Sequence, residues 1–501
     1  MKFNPSFLVI PFLVFFTSCK DEVNLKNTNY AFADFNVTYK SSIAPLTSTQ
    51  IDQSPWGIHF NGMPFHDMAF AQYDSLDIEQ LQKELPALIE LTSDLGIKWA
   101  RISVDWGLIE DMRGEFHWEL LDPMIEGLVS SGIEVYPSLH AGHVKHTNLM
   151  PPTTQVEIEA WLNFVEKVID RYKDKITYWE IWNEPNTTWF WGGAPNAVEY
   201  YHLVDTSSRL IKKTDPDSKV IGGSLARLDV PYAQELFELG IAKAIDIFSF
   251  HPYGVFPEAA IKKMKVQVKM PLLYEPVMNT VDGLQQLIEN SGKPIELWQG
   301  ECGYPSAMNG GGWNGTGPYS EEIQAKWILR RAFVDLSYDA KVSAYFLLKE
   351  IKHKHYEHYN RKGLLKFHDL SPKKGYAVFQ NLTSTIHGPF KKENSISIEA
   401  DILDEGELFG IRPKNIRTLS LKKDDEIMMA YWGVTHMQSD VKHGKVQLEI
   451  KGIDAHSIQT IELIDLYSGD LFSVNNFKST DEGLIISGLP LNDYPFVLKV
   501  K

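Results

Sequence analysis

The sequence predicts an α/β fold: a (β/α)8 TIM barrel followed by a C-terminal antiparallel β-sandwich. Three observations lead there. Strand-like apolar runs and helical stretches alternate eight times between residues 56 and 386. The early part of that region lacks the glycine-rich phosphate turn that a doubly wound open sheet would want. After about Gly388 the pattern changes to short alternating runs separated by turns.

The strand-like runs fall at 56–60, 99–104, 135–139, 177–183, 220–223, 245–251, 295–300 and 342–348. Each is short and nearly all apolar, as a barrel strand buried on both faces must be. Between them, apolar residues recur at three-to-four spacing over 78–95, 120–131, 156–172, 198–213, 231–243, 277–290 and 321–337, with an eighth stretch at 373–384. Later, short runs at 419–421, 427–432, 445–450, 459–465, 483–486 and 496–500 read as sandwich strands. Turns such as Lys423-Asp424-Asp425 and Ser468-Gly469-Asp470 separate them.

A chain of 501 residues exceeds one ordinary core, which agrees with two domains. The expected boundaries are 1–18 for a lipoprotein signal peptide, 19–50 for a tether, 51–388 for the barrel and 389–501 for the sandwich. The start runs from Lys2 through apolar residues 7–16 to Thr17-Ser18-Cys19, a basic start and a short apolar region as in a signal peptide. That apolar run is too short to span a bilayer. The ending resembles a bacterial lipobox, which implies lipidation of Cys19, a lipid anchor and a place in the cell envelope. Residues 20–50 are polar, with one expected strand near 35–39 that could pair with the C-terminal domain. With only two cysteines, Cys19 and Cys302, there is no disulfide framework. A net charge of -16 argues against a nucleic-acid partner.

In a barrel of this kind the chemistry sits where strands end. The fourth run ends at Asn183-Glu184-Pro185 and the seventh at Glu301. Two carboxylates held at one end of a barrel are the minimal apparatus for cleaving a glycosidic bond. A partly desolvated Glu184 could donate a proton, and an ionised Glu301 nearby could attack the anomeric carbon.

With Arg101 in Trp99-Ala100-Arg101-Ile102-Ser103, His140 in Pro137-Ser138-Leu139-His140, and His251 and Tyr253 in Ser249-Phe250-His251-Pro252-Tyr253, the chain resembles the clan A retaining glycoside hydrolases. The resemblance covers residues 55–386. It implies acid/base Glu184 preceded by Asn183, and nucleophile Glu301 held ionised by Arg101. It also implies a cleft histidine at His140, and a strand-six pair, His251 and Tyr253, flanking the two glutamates. The run Trp179-Glu180-Ile181-Trp182-Asn183-Glu184-Pro185-Asn186, followed by Trp189-Phe190-Trp191, is most similar to glycoside hydrolase family 39. That family holds β-xylosidases and α-L-iduronidases. Two stretches depart from the pattern: Cys302-Gly303-Tyr304-Pro305 is unlike the family's usual run, and Tyr345-Phe346-Leu347-Leu348-Lys349 lacks the tryptophan of many clan members.

The implied activity is retaining hydrolysis of a plant or algal glycan, or of its oligosaccharides, with a carbohydrate substrate and no cofactor. Competing readings are an endo-acting β-glucanase or β-mannanase of the clan, and a glycan-binding surface lipoprotein on an inactive barrel. Trp191 and Trp313, ahead of Trp189, are expected to stack on sugar rings. The glycine-rich run 309–315 is expected to close over substrate. His140, His143 and His146, and likewise His353, His355 and His358, are not expected to bind metal. Lys349, Lys352, Lys354 and Arg361 read as a basic rim that could attract an acidic or sulfated sugar. Cys302 is expected to be a buried filler whose pKa is raised by its charged neighbour.

Overall fold

A computed structural model describes residues 32–61, 78–254, 257–260, 280–306, 320–352, 359–435 and 437–500. Eight parallel strands close into one barrel: Trp56–Phe60, Trp99–Asp105, Glu134–His140, Tyr178–Ile181, Lys219–Ala226, Ile247–His251, Glu296–Cys302 and Ser343–Tyr345. They are called barrel strands one to eight below. Strand one pairs with both strand two and strand eight, which closes the cylinder.

The barrel interior is divided by height. Its lower layer is apolar and aromatic, built from Tyr136, Ile221, Ile247, Trp298, Val342 and Ala344. The Trp298 ring meets Trp99, Tyr178 and Tyr136 at 5.0, 5.3 and 5.4 Å between centroids. With that layer dry and filled, the polar side chains of the upper layer are left to satisfy one another. Two glycines let the upper strands approach. A Cβ on Gly300 would lie 2.2 Å from Ser249 Oγ, and Gly223 takes φ +84° at a register shift in strand five.

The helices start where their sequences supply caps. Thr154 and Glu157 form a capping box on Gln155–Tyr172, Asn196 caps Ala197–Thr214, and Ser320 caps Glu321–Ser337. Glu321–Ser337 is buried on nearly all sides, because the barrel covers one face and the sandwich the other. It therefore carries buried Lys326, Arg330 and Asp335 among its apolar residues.

The sandwich has a seven-stranded sheet in the order Val37–Ser42, Asp470–Val474, Ile461–Asp465, Phe496–Val500, Glu426–Gly433, Ile416–Lys423, Lys391–Lys392. Its second sheet runs Ser397–Asp404, Gly444–Lys451, Gly483–Leu491, Lys478–Thr480. Residues 32–50 correct the expected tether. Val37–Ser42 is an edge strand, antiparallel to Asp470–Val474, and Asn36 donates to the carbonyls of Asn476 and Ser487 at 2.6 and 3.0 Å. The strand expected near 35–39 is present at Val37–Ser42, paired with the C-terminal domain, and its residues alternate between the sandwich and solvent. Residues 1–18 and Cys19 lie outside the described residues.

A buried polar seam joins the two domains. Arg330 donates to Glu258 through Nε at 2.7 Å and through Nη2 to the other oxygen, and reaches the Thr435 carbonyl at 3.1 Å. Trp432 Nε1, from the sandwich, donates to Glu258 at 2.8 Å. Lys326 reaches Asp493 at 2.9 Å and the Gln438 carbonyl at 2.7 Å. Burial pushes the Glu258 carboxyl up, but Arg330 and Trp432 outweigh it and hold the group below its ordinary value.

Candidate active site

Arg101 stands at the centre of the barrel's upper layer, fully buried. Register places His59 beside it on strand one, and Ser138 beside Glu180 across strands three and four. Its side chain makes five hydrogen bonds, as many as it has N–H groups. Nε donates to Glu180 at 2.6 Å. Nη1 donates to Glu301 Oε2 at 2.9 Å and faces His59 Nδ1 at 3.3 Å. Nη2 donates to Asn183 Oδ1 at 2.8 Å and to Ser138 Oγ at 3.2 Å. With every donor used, the guanidinium is locked in position.

His59 reads the same way. Burial, with Arg101 adding to it, pulls the ring down to about 4 against the opposing pull of Glu301. A neutral ring accepting from Arg101 at Nδ1 donates through Nε2, and Ser103 Oγ lies 3.2 Å from that nitrogen. Glu180 is wholly buried, and Ser224 Oγ donates to its second oxygen at 2.7 Å. Burial raises the Glu180 carboxyl, but Arg101, His251 and Ser224 together hold it below its ordinary value.

Glu301 is bonded at both oxygens, with Arg101 on Oε2 and the Tyr253 hydroxyl on Oε1 at 2.6 Å. Burial raises this carboxyl too; His251, His59 and Arg101 outweigh it and leave it well below the usual range. Burial and the charge of Glu301 push the Tyr253 phenol up, so it stays a donor. Glu301 remains 8% exposed, so its carboxylate keeps an open edge.

Glu184 sits just past strand four on a tight turn. Trp182 and Glu184 both take positive φ, +67° and +46°, and the Glu184 N–H donates to the Ser224 carbonyl at 2.9 Å. Ser224 itself sits at the strand-five register shift, so one irregularity serves both Glu180 and Glu184. Glu184 Oε1 lies 2.9 Å from His251 Nδ1. One oxygen of Glu184, one of Glu301 and one ring nitrogen of His251 all lie within 4.8 Å of each other. The Arg101 guanidinium beside Glu301 opposes a cation at this cluster. A second cluster, Asp111, Glu115 and His117, already has Arg113 on both acids at 2.9 and 3.2 Å.

The other expected residues separate. His140 ends strand three, with Nε2 2.9 Å from Asp105 and Nδ1 3.1 Å from the Ser138 carbonyl, and it joins the cluster through Ser138. Asn183 is buried and fixed by Arg101 at its oxygen. Trp191 is corrected: it is 3% exposed and packs edge-on against Trp182 and Tyr200, so it is no stacking surface. Trp189, two residues earlier in the same turn, is 74% exposed. Trp313 and the run 309–315 lie outside the described residues.

Two histidines of the first cluster are loop supports. His146 stacks on Trp106 and bonds Glu110 at 3.0 Å, and His143 bonds the Glu110 carbonyl at 3.0 Å. His353, His355, His358 and Lys354 lie outside the described residues, as does the Lys352 side chain. Lys349 is not a rim charge: it pairs with Glu84 and lies over the Phe367 ring at 5.1 Å. Cys302 is buried as expected, but the cause of its high pKa, pushed up to about 12, is burial rather than Glu301.

Sequence reasoning missed His59, Glu180 and Lys362. The signal for the first two was a polar residue inside an apolar strand run. Lys362, buried, holds its ammonium 5.0 Å from the Tyr253 ring and 5.5 Å from Phe346. Burial pulls it below the usual lysine value, against the charges of Glu301 and Glu184.

A parallel barrel with two glutamates facing each other across its upper end, beside a sandwich domain, defines the glycoside hydrolases of clan A. The chain belongs to glycosyl hydrolases family 39, whose model matches residues 97–471. Its fold is shared with a family 39 glycoside hydrolase from Bacteroides cellulosilyticus WH2, at TM-score 0.63 and 17% identity over 92% of this chain and 83% of that one. A monomeric β-xylosidase from Caulobacter crescentus CB15 aligns at TM-score 0.52 and 14% identity, over 92% and 97% of the two chains. A β-xylosidase of Geobacillus stearothermophilus is 24% identical over 155 residues, which are 27% of this chain and 29% of that relative's length.

Proposed function

We propose that this chain is a retaining glycosidase working by double displacement, with Glu301 as nucleophile and Glu184 as acid and base. The observation that carries the reading is the short reach between them: one oxygen of each carboxyl lies within 4.8 Å of the other. Inverting enzymes need about 6.5–9.5 Å between the two groups to admit a water, and retaining ones about 5–5.5 Å. Glu301, kept ionised by Arg101 and Tyr253, attacks the anomeric carbon while the Glu184 proton passes to the leaving oxygen. Asn183 donates to the sugar hydroxyl beside the reacting carbon, a bond that strengthens in the transition state. Ester formation removes the charge of Glu301, so Glu184 loses a repulsive neighbour and can take a proton from the incoming water. His251, 2.9 Å from Glu184, orients it, and His140 lies in the substrate cleft of this reading.

The substrates of this reading are equatorially linked glycans of plant or algal origin, or their fragments. The signal region with Cys19 supports a lipid-anchored enzyme of the cell envelope. The mechanism is tested with activated 2-deoxy-2-fluoro glycosides, by peptide mass mapping and NMR of the first product. The expected result is an adduct on the Glu301 peptide and retained anomeric configuration; an inverted first product would sink the reading. A Cys19→Ala variant is expected to move from the membrane to the soluble fraction.

A further inference from the structure

Singly exposed apolar side chains are ordinary, but clustered ones mark binding surfaces. Among the described residues seven large hydrophobic side chains are exposed, and five of them follow barrel strands two, three or four: Met112, Met150, Val156, Trp189 and Val198. Each lies between a strand end and the first turn of the next helix, so all five sit at the end of the barrel that holds Glu184. Trp189 is the aromatic one among the five. At 74% it is the one tryptophan classed as exposed among the described residues.

Its mount is rigid and continuous with Glu184. The Glu184 carbonyl accepts from Thr187 N at 3.1 Å and Thr187 Oγ1 at 3.0 Å. Thr187 then caps the single turn Thr188–Trp191 by accepting from Phe190 N, and Trp182 Nε1 donates to the Phe190 carbonyl at 3.2 Å. Residues two apart on a helix face about 200° away from each other. With Trp191 locked inward against Trp182 and Tyr200, Trp189 is turned out. The turn closes on Gly192, over which the exposed Met150 thioether packs.

We propose that Trp189, on the turn that Met150 packs against at Gly192, is a stacking platform for the leaving portion of the substrate, taking the apolar face of a pyranose ring beyond the cleaved bond. This rests on the acid role of Glu184: the group that protonates the leaving oxygen must lie beside the leaving sugar, and Trp189 stands on that group's own turn. An aromatic face on a preorganised mount stacks without the entropic cost of ordering a loop.

The test compares Trp189→Ala and Trp189→Tyr with wild type on glycosyl fluorides, whose leaving group has no ring, and on the matching β-1,4-linked trisaccharides. The expected result is a fall of roughly three- to tenfold in the trisaccharide-to-fluoride ratio of kcat/KM for Trp189→Ala, with Trp189→Tyr keeping most of it. An unchanged ratio overturns the platform, including the case where both substrates fall together because the turn has lost its hold on Glu184. The binding arm uses Glu301→Gln with xylotriose, cellotriose and mannotriose by calorimetry, and adding Trp189→Ala is expected to raise Kd at least threefold for a trisaccharide that binds. An equal Kd, or no trisaccharide binding to Glu301→Gln, overturns the platform whether or not any fluoride is cleaved. Inactivity of wild type on every fluoride would instead strike the proposed function. A dimer in sedimentation that Trp189→Ala dissociates would assign the ring to a second copy of the chain and also overturn the proposal.

Discussion

Two arginines in this protein are fully buried against glutamates, and they do opposite things. At the domain seam Arg330 meets Glu258 through two parallel bonds, with Trp432 adding a third donor to the same carboxylate. One charge answers one charge, and neither side chain has any exposure. At the barrel mouth Arg101 serves two carboxylates, Glu180 and Glu301, and fills its other bonds with neutral partners. One cation cannot neutralise both, and the second carboxylate keeps its open edge. A closed pair of this kind holds surfaces together. The unbalanced cluster leaves a carboxylate ionised in a low-dielectric site, which is what the proposed attack by Glu301 requires.

The largest effect that would break this contrast is on activity. Glu301→Gln is expected to lower kcat on the order of 10⁴-fold, as removal of a covalent nucleophile does. Its thermal midpoint should hold, because Arg101 is then balanced by Glu180 alone. Activity within tenfold of wild type would remove Glu301 from the chemistry.

The seam should respond in the other currency. Arg330→Met leaves the Glu258 carboxylate buried without its cation and is expected to cost about 3–5 kcal/mol in urea unfolding. The double variant Glu258→Gln, Arg330→Met should regain much of that. A single variant costing under about 1 kcal/mol would mean the seam is open to water.

Acid sharpens the comparison, because the barrel mouth and the sandwich each bury a histidine that is held neutral. His59 at the mouth and His443 in the sandwich are both pulled from 6.5 to about 4, chiefly by burial. Below pH 6.5 the unfolded chain takes up protons that these folded rings refuse. Stability is therefore full above pH 6.5 and falls as pH drops toward 4, by about 3 kcal/mol per histidine. Denaturation midpoints across that window for His443→Gln should show a shallower slope than wild type; an identical slope would show that His443 is not held neutral. Glu301, with its depressed value, adds a loss only at still lower pH.

The smallest expected effect is the most specific. Ser224→Ala removes a buried hydroxyl bond to Glu180, for about 1.5–3 kcal/mol of stability. Glu180 then leans harder on Arg101, which weakens its hold on Glu301. The acid limb of kcat/KM should move to higher pH, and a limb that does not move would uncouple the two glutamates.

Much of this was legible beforehand, for a physical reason. Barrel strands are short apolar runs whose ends face one way, so Asn183, Glu184 and Glu301 could be picked out by position on the chain, while Arg101, inside its strand, was found through the family resemblance. Ser397–Asp404 was missed because it is mostly exposed, with Ile398, Ala400 and Ile402 only half-buried. The aromatic turn was misjudged: Trp189 and Trp191 look alike in a one-turn helix, and the Trp182–Tyr200 wall chooses which faces in.

The sequence by itself determined the barrel, the sandwich and the strand ends that carry the glutamates, because periodicity and caps act between residues a few positions apart. Only the tertiary structure decided that Glu180 and Glu301 share Arg101, since those partners stand 79 and 200 residues away from it. Electrostatic neighbours are set by distance in space, and no local pattern in the chain encodes that distance.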